Sequence, residues 1–245
     1  MNILCLGNSR IFYNDLPAMF ASLARAAGKE VSVGSVTKGS ATISHFACEG
    51  DPLGARAREA MLSHKWDYVL IEPSRRISPF EDTVLQAEAE AAKTVQALAE
   101  QAGATILLYA VWGNNDGTVK EYVAEAPPHM PLVRPHPLSR AAHARFLHDV
   151  SQRISASLGG VTVAEAGLAF ENLMAADPTV DLYHTDLRHP SPAGTYLTAC
   201  TLYATLFGAR TEGIPKTEDI PSYALLQRIA DATVLDGLRP SLNDQ

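Results

Sequence analysis

One serine and two overlapping Asp-His pairs carry the residue types of nucleophilic acyl transfer. Ser9 stands in Gly7-Asn8-Ser9, directly after the apolar run Asn2-Ile-Leu-Cys-Leu-Gly7. A serine hydroxyl attacks poorly until a base takes its proton. Candidate bases lie in Asp181-Leu-Tyr-His184-Thr-Asp186-Leu-Arg-His189-Pro190-Ser191. A carboxylate three residues before a histidine can reach its Nδ1 within one turn, which fixes the tautomer and supports the imidazolium formed during proton abstraction. His189 is followed by Pro-Ser-Pro-Ala-Gly194, the opening of a helix, and so sits at a rigid junction, whereas His184 has only more loop after it. The pair Asp186–His189 is therefore the better candidate. Taken singly, each feature has a plainer reading: Ser9 as a turn or helix-capping serine, each Asp-x-x-His as a solvated loop pair.

The elements that must position these residues are legible as alternating strands and helices. Buried parallel strands read as apolar runs stopped by glycine or proline. Five are expected, at residues 2–7, 31–36, 66–72, 104–112 and 161–164. Between Asp15 and Gly28, Leu16, Met19, Phe20, Leu23 and Ala27 recur at helical spacing. Further helices are expected at 53–64, 81–101, 139–158, 190–207 and 222–237. Residues 124–138 hold five prolines and two histidines and are expected to form an ordered loop or lid. The alternation implies an α/β sandwich of three layers, with helices on both faces of a five-stranded parallel sheet. No composition break separates domains, so one domain is expected over 1–245, with a core to about 210 and a C-terminal helical extension over 211–245. In such sheets a ligand sits beyond the carboxyl ends of the strands, at the switch point of the strand order. Ser9 falls there.

With these blocks in place the chain resembles the SGNH (GDSL-type) hydrolase family. The resemblance rests on Gly7-Asn8-Ser9, on Gly39 after the second strand, and on Asp186-x-x-His189-Pro-Ser-x-x-Gly194. It implies a flavodoxin-like fold and a Ser-His-Asp acyl hydrolase without a cofactor. In that reading Ser9 is the nucleophile, His189 the base and Asp186 its orienting partner, and the backbone N–H groups of Ser9 and Gly39 donate to the oxyanion. The family's third block, Gly-x-Asn-Asp after strand three, is replaced by Ile71-Glu72-Pro73-Ser74-Arg75-Arg76. Glu72 takes the place of a polar residue, often glutamine, found in one branch of the family. An ionised carboxylate cannot donate, so Glu72 is expected to line the cleft without serving the oxyanion. Arg75 is a second cleft candidate, suited to a substrate carboxylate. Gly113-Asn114-Asn115-Asp116 follows strand four, and its composition is turn chemistry; Asn115 is kept as a third cleft-lining candidate.

The remaining features exclude more than they add. Of the 245 residues 47% are apolar and 19% charged, and the net charge is −7 with no basic block. Nucleic acid and anionic membrane are poor partners for such a chain, and no apolar run approaches the roughly 20 residues a membrane helix needs. Met1-Asn2 passes straight into Ile-Leu-Cys-Leu without a basic leader, and Cys5, Cys48 and Cys200 form neither a metal spacing nor a disulfide framework, so a cytoplasmic setting is expected. His129, His136, His143 and His148 lack the spacing of metal ligands; surface or lid positions are expected for them. The expected function is a serine esterase acting on a small acyl ester, acetyl foremost, of a carbohydrate or small metabolite. A non-catalytic binding module on the same fold is the alternative. A flavin or nucleotide binder fares worse, because the loop after strand one lacks a phosphate-cradling run of glycine, serine and threonine.

Overall fold

The computed structural model describes residues 1–74, 77, 82–121, 132–135, 137–217 and 219–239. In chain order the elements are β1 (Asn2–Gly7), α1 (Ser9–Phe12), a 3-10 turn (Tyr13–Asp15), α2 (Leu16–Ala26), β2 (Ser32–Thr37), α3 (Ile43–Ala47), α4 (Pro52–Ser63) and β3 (Tyr68–Ile71). They continue with α5 (Asp82–Gln101), β4 (Thr105–Tyr109), β5 (Thr118–Glu121), β6 (Leu132–Pro135), α6 (Arg140–Ser157), β7 (Val163–Ala164), α7 (Ala166–Ala176), α8 (Pro192–Phe207) and α9 (Tyr223–Val234).

β1, β2, β3, β4 and β7 form a five-stranded parallel sheet in the order β2-β1-β3-β4-β7. Successive side chains of a strand point to opposite faces, and each face here has its own core. Ile3, Cys5, Leu70, Leu107 and Tyr109 point to one side, where α2, α7, α8 and α9 cover them through Phe20, Leu23, Phe170, Tyr196 and Leu226. Leu4, Leu6, Val69, Ile71, Ile106 and Leu108 point to the other, against Phe46, Leu53, Met61, Val95 and Ile154 of α3 to α6. Apolar burial on both faces explains why the strands read as continuous runs rather than alternating ones. This is the three-layer α/β sandwich that the alternation of elements predicts. The segment from 211 onward is no separate layer: Ile214, Ile220, Leu226 and Ile229 belong to the same core as α2 and α8.

Three helices appear where the pattern predicts none: α1, α3 and α7. Residues 118–121 and 132–135 pair as an antiparallel ribbon, so part of the expected 124–138 loop is strand, and residues 122–131 and 136 lie outside the described residues. Among the described residues no helix is long and apolar enough to cross a membrane.

The order β2-β1-β3 puts β1 at the switch point, with neighbours leaving in opposite directions along the sheet. The segments after all three strands therefore converge beyond one edge, where a cleft forms.

Candidate active site

The first wall of the cleft follows β1. Gly7 permits the tight exit from the strand: a Cβ there would meet Cγ1 of Ile11 at 2.6 Å. Asn8 then caps α1, its side chain accepting from Arg10 N–H at 3.1 Å while its amide donates to the Ala41 carbonyl at 3.2 Å. That second bond ties the serine turn to the segment after β2. Ser9 thus opens α1, and its own N–H is one of the first-turn donors that find no acceptor within a helix.

The facing wall is the loop before α8. Ser191 caps α8, accepting from Gly194 N–H at 3.1 Å and donating to the Asp181 carbonyl at 2.6 Å. Gly194 is needed for contact, since a Cβ would lie 2.3 Å from the Leu182 carbonyl oxygen. This junction sets His189, whose Nε2 lies 2.8 Å from Ser9 Oγ and whose Nδ1 lies 2.5 Å from Asp186 Oδ2. The other oxygen of Asp186 accepts the backbone N–H groups of Arg188 and His189, both at 3.0 Å. Burial acts to raise the Asp186 carboxyl, but those bonds and the His189 ring outweigh it and hold it well below the usual carboxylate range. Asp186 is therefore a fixed anion behind the imidazole.

His184 stands apart. Its side chain is exposed, its Nδ1 is 3.8 Å from Asp186 Oδ1, and Asp181 accepts from Tyr183 N–H rather than from His184. Both histidines flank one carboxylate, and His189 is the one in contact with Ser9.

The floor of the cleft is polar and buried. Arg10 donates to the Trp112 carbonyl at 3.1 Å, stands 5.1 Å over the Trp112 ring, and lies 3.9 Å from Glu72 at the end of β3. The cavity in the cleft is small, about 90 Å³, and is bounded by Ser9, His189 and Arg188, by Glu72 and Ser74, and by Ser40 to Thr42.

No family model matches the chain, and no curated protein matches it. Solved structures do. A protein from Slackia heliotrinireducens assigned to the SGNH hydrolases is 25% identical with a TM-score of 0.64, over 84% of this chain and 98% of its own. The chain is similar in fold to the SGNH hydrolases. A DUF4886 family protein from Bacteroides uniformis has a TM-score of 0.76 at 15% identity, over 99% of this chain and 98% of its own, so the fold is shared through the C-terminal helices. An acetyl xylan esterase, AlAXEase, shares the fold at 11% identity and a TM-score of 0.56, over 84% of this chain and 100% of its own.

Against this SGNH frame the sequence-derived candidates sort clearly. Ser9, Asp186 and His189 come together. Glu72 lines the cleft at its buried end. Gly39 is exposed, and the stretch that borders the cleft beside Ser9 is the next one, Ser40 to Thr42, with Ser40 at φ 63°. Arg75 lies outside the described residues. Asn115 is exposed and braces the opposite loop instead of bordering the cavity: its N–H donates to the Leu187 carbonyl at 2.8 Å. Trp112 Nε1 donates to the Arg188 carbonyl at 3.2 Å and Tyr183 Oη to the Gly113 carbonyl at 3.2 Å. The segment 112–115 is thus a brace for the loop that carries Asp186 and His189. His143 corrects its surface assignment: it is buried on the inner side of α6, against Gly113. His148 pairs with Glu165 at 2.9 Å, and His129 and His136 lie outside the described residues.

Glu88 went unnoticed in the sequence, since it is one of many acidic residues on α5. It is 3% exposed, accepts Ser74 N–H at 3.1 Å and faces Ser44 Oγ at 3.5 Å, so it fixes the chain just after β3. Burial pushes its carboxyl up from 4.5 to about 7, with nearby Glu72 adding to the rise and the two bonds opposing it. The folded protein then keeps a proton that the unfolded chain has lost. Stability from this group is fully present below about pH 4.5 and is lost as pH rises to about 7, by about 3 kcal/mol. Glu88→Gln should flatten that slope. Urea midpoints of the two proteins, measured from pH 4.5 to 8, should separate in favour of the variant as pH rises; parallel curves would remove the assignment.

Proposed function

We propose that the protein is a serine esterase that removes a small acyl group, acetyl foremost, from a carbohydrate or small metabolite through an acyl-enzyme. The observation that carries the reading is the unbroken line from Ser9 Oγ to His189 Nε2, at 2.8 Å, and from His189 Nδ1 to Asp186, at 2.5 Å. His189 takes the Ser9 proton as Oγ bonds to the ester carbonyl carbon. The backbone N–H of Ser9 receives the oxyanion, beside the Ser40 to Thr42 stretch that borders the cleft in place of Gly39. Collapse of the tetrahedral intermediate breaks the bond to the alcohol, which leaves with the proton from His189. Water, deprotonated by the same imidazole, then attacks the acyl-enzyme and frees the acid and Ser9.

The cavity beside Ser9 is small, about 90 Å³, and a small acyl group such as acetyl suits it. The fold shared with an acetyl xylan esterase agrees with that choice. The test is a series of p-nitrophenyl esters. Acetate should exceed octanoate by at least roughly tenfold in kcat/KM, about the effect of forcing one or two methylenes into a site that lacks space for them. Octanoate turned over as well as acetate would remove the small-acyl reading, and no turnover of any ester would remove the esterase.

A further inference from the structure

Tyr13 has no part in the triad, yet its ring lies flat against the base. The Tyr13 and His189 rings are 4.3 Å apart between centroids and 8° from parallel. Tyr13 also meets His184 edge-on, at 5.5 Å and 71°. The turn that carries it is held in place. Asn14, next in the chain, adopts a left-handed conformation at φ 52°, which asparagine tolerates better than most residues. Its amide donates to the Pro190 carbonyl and to Thr195 Oγ1, both at 2.9 Å. Tyr13 is thereby bolted to the residue that follows His189.

We propose that Tyr13 is a positioning residue for His189: its face fixes the plane of the imidazole between Ser9 and Asp186 and favours the imidazolium that forms in each half of the reaction. This rests on the esterase reading for its purpose, though not for its measurement. An aromatic face carries negative charge density, so a cation over it is stabilised. The imidazole otherwise faces Asp186 on its own loop and Ser9 from α1, with Arg188 beside it along the cleft and His184 3.8 Å from the far oxygen of Asp186. Asp186 also favours the cation, but it acts in the plane of the ring through Nδ1. Tyr13 acts on the face, which no carboxylate bond restrains against tilting.

The test is a titration of the His189 ring by NMR in a Ser9→Ala background, which needs no substrate. Removing the face disfavours the cation, so Tyr13→Leu should lower the titration midpoint by about half a pH unit, the effect expected of one partly exposed cation–π contact. Tyr13→Phe should stay within about 0.2 pH units of the parent. Pentafluorophenylalanine at position 13 keeps the shape of phenylalanine and reverses its charge distribution, so it should lower the midpoint relative to Tyr13→Phe. This pair decides the matter if Tyr13→Leu fails to fold. With Ser9 restored, Tyr13→Leu should lower kcat roughly threefold to tenfold with KM nearly unchanged, and should move the acid limb of kcat/KM to lower pH. Equal midpoints in the phenylalanine and pentafluorophenylalanine proteins would overturn the proposal. Loss of ester turnover in the parent, with the midpoints still separated, would sink the esterase reading alone.

Discussion

Ser9→Ala is expected to lower kcat by about 10⁴-fold or more and to leave stability nearly unchanged. The two halves of that expectation have separate causes. In a concerted triad the nucleophile, base and orienting carboxylate act as one unit, so removing one member forfeits nearly all of their joint effect, and what remains comes from binding and the oxyanion donors. The fold loses little, because the single side-chain bond removed is the one to His189 Nε2. A net hydrogen bond is worth about 1 kcal/mol, and alanine is a good first residue for α1. The cap of that helix comes from Asn8 and survives the change. Turnover of p-nitrophenyl acetate measures the first half and a thermal melt the second. A fluorophosphonate probe adds an independent readout: wild-type protein should carry the adduct on the peptide containing Ser9, and the variant should carry none. Undiminished turnover, or an adduct on another serine, would dismiss Ser9 as nucleophile.

How far the sequence foretold this site follows from what each signal depends on. β1, β3 and β4 are buried on both faces, so hydrophobic runs declare them, and their alternation with helices is enough to imply the sheet. Helix α8 is buried at every residue from Ala193 to Ala204 and shows no apolar stripe. It was legible because Ser191, Pro192 and Gly194 mark its start. Helix α7 is as deeply buried from Ala166 to Leu173, and Glu165 before it makes no capping bond, so neither stripe nor cap announces it. Helices α1 and α3 span four and five residues, too short for periodicity to register. Within the site, Ser9, Asp186 and His189 were legible because their partners are local or belong to a recurrent pattern. The contacts of Arg10 with Glu72 and Trp112, of Glu88 with Ser74, and of Tyr13 with His189 join distant segments or unremarkable residue types. No spacing rule encodes them. The segment 113–116 carries a further lesson: its turn composition was visible, but the bonds that tie it to the loop holding His189 join residues about 70 positions apart in the chain.

His189→Ala should abolish turnover, and His184→Ala should be tolerated within a few-fold. The two histidines are five residues apart, sit in one loop and face the same carboxylate, so the contrast is a demanding one. Geometry separates them. His189 reaches Ser9 Oγ at 2.8 Å through Nε2 while Nδ1 is held by Asp186 Oδ2, the relay a general base requires. His184 lies 3.8 Å from the other Asp186 oxygen, with its side chain 46% exposed. That oxygen already accepts two backbone N–H groups, so losing His184 leaves Asp186 satisfied. Asp186 stays ionised far into acid because those bonds and His189 hold its carboxyl down. The acid limb of kcat/KM should therefore follow the loss of one proton from the imidazole that serves as base. Activity should rise with pH across that limb in wild type and in His184→Ala alike. The decisive comparison is kcat for the two variants side by side. If His184→Ala proves the inactive one while His189→Ala still turns over, the base is His184 and the Ser9–His189 contact is incidental. If both variants stay active and the profile is flat from pH 5 to 8, no histidine serves as the base.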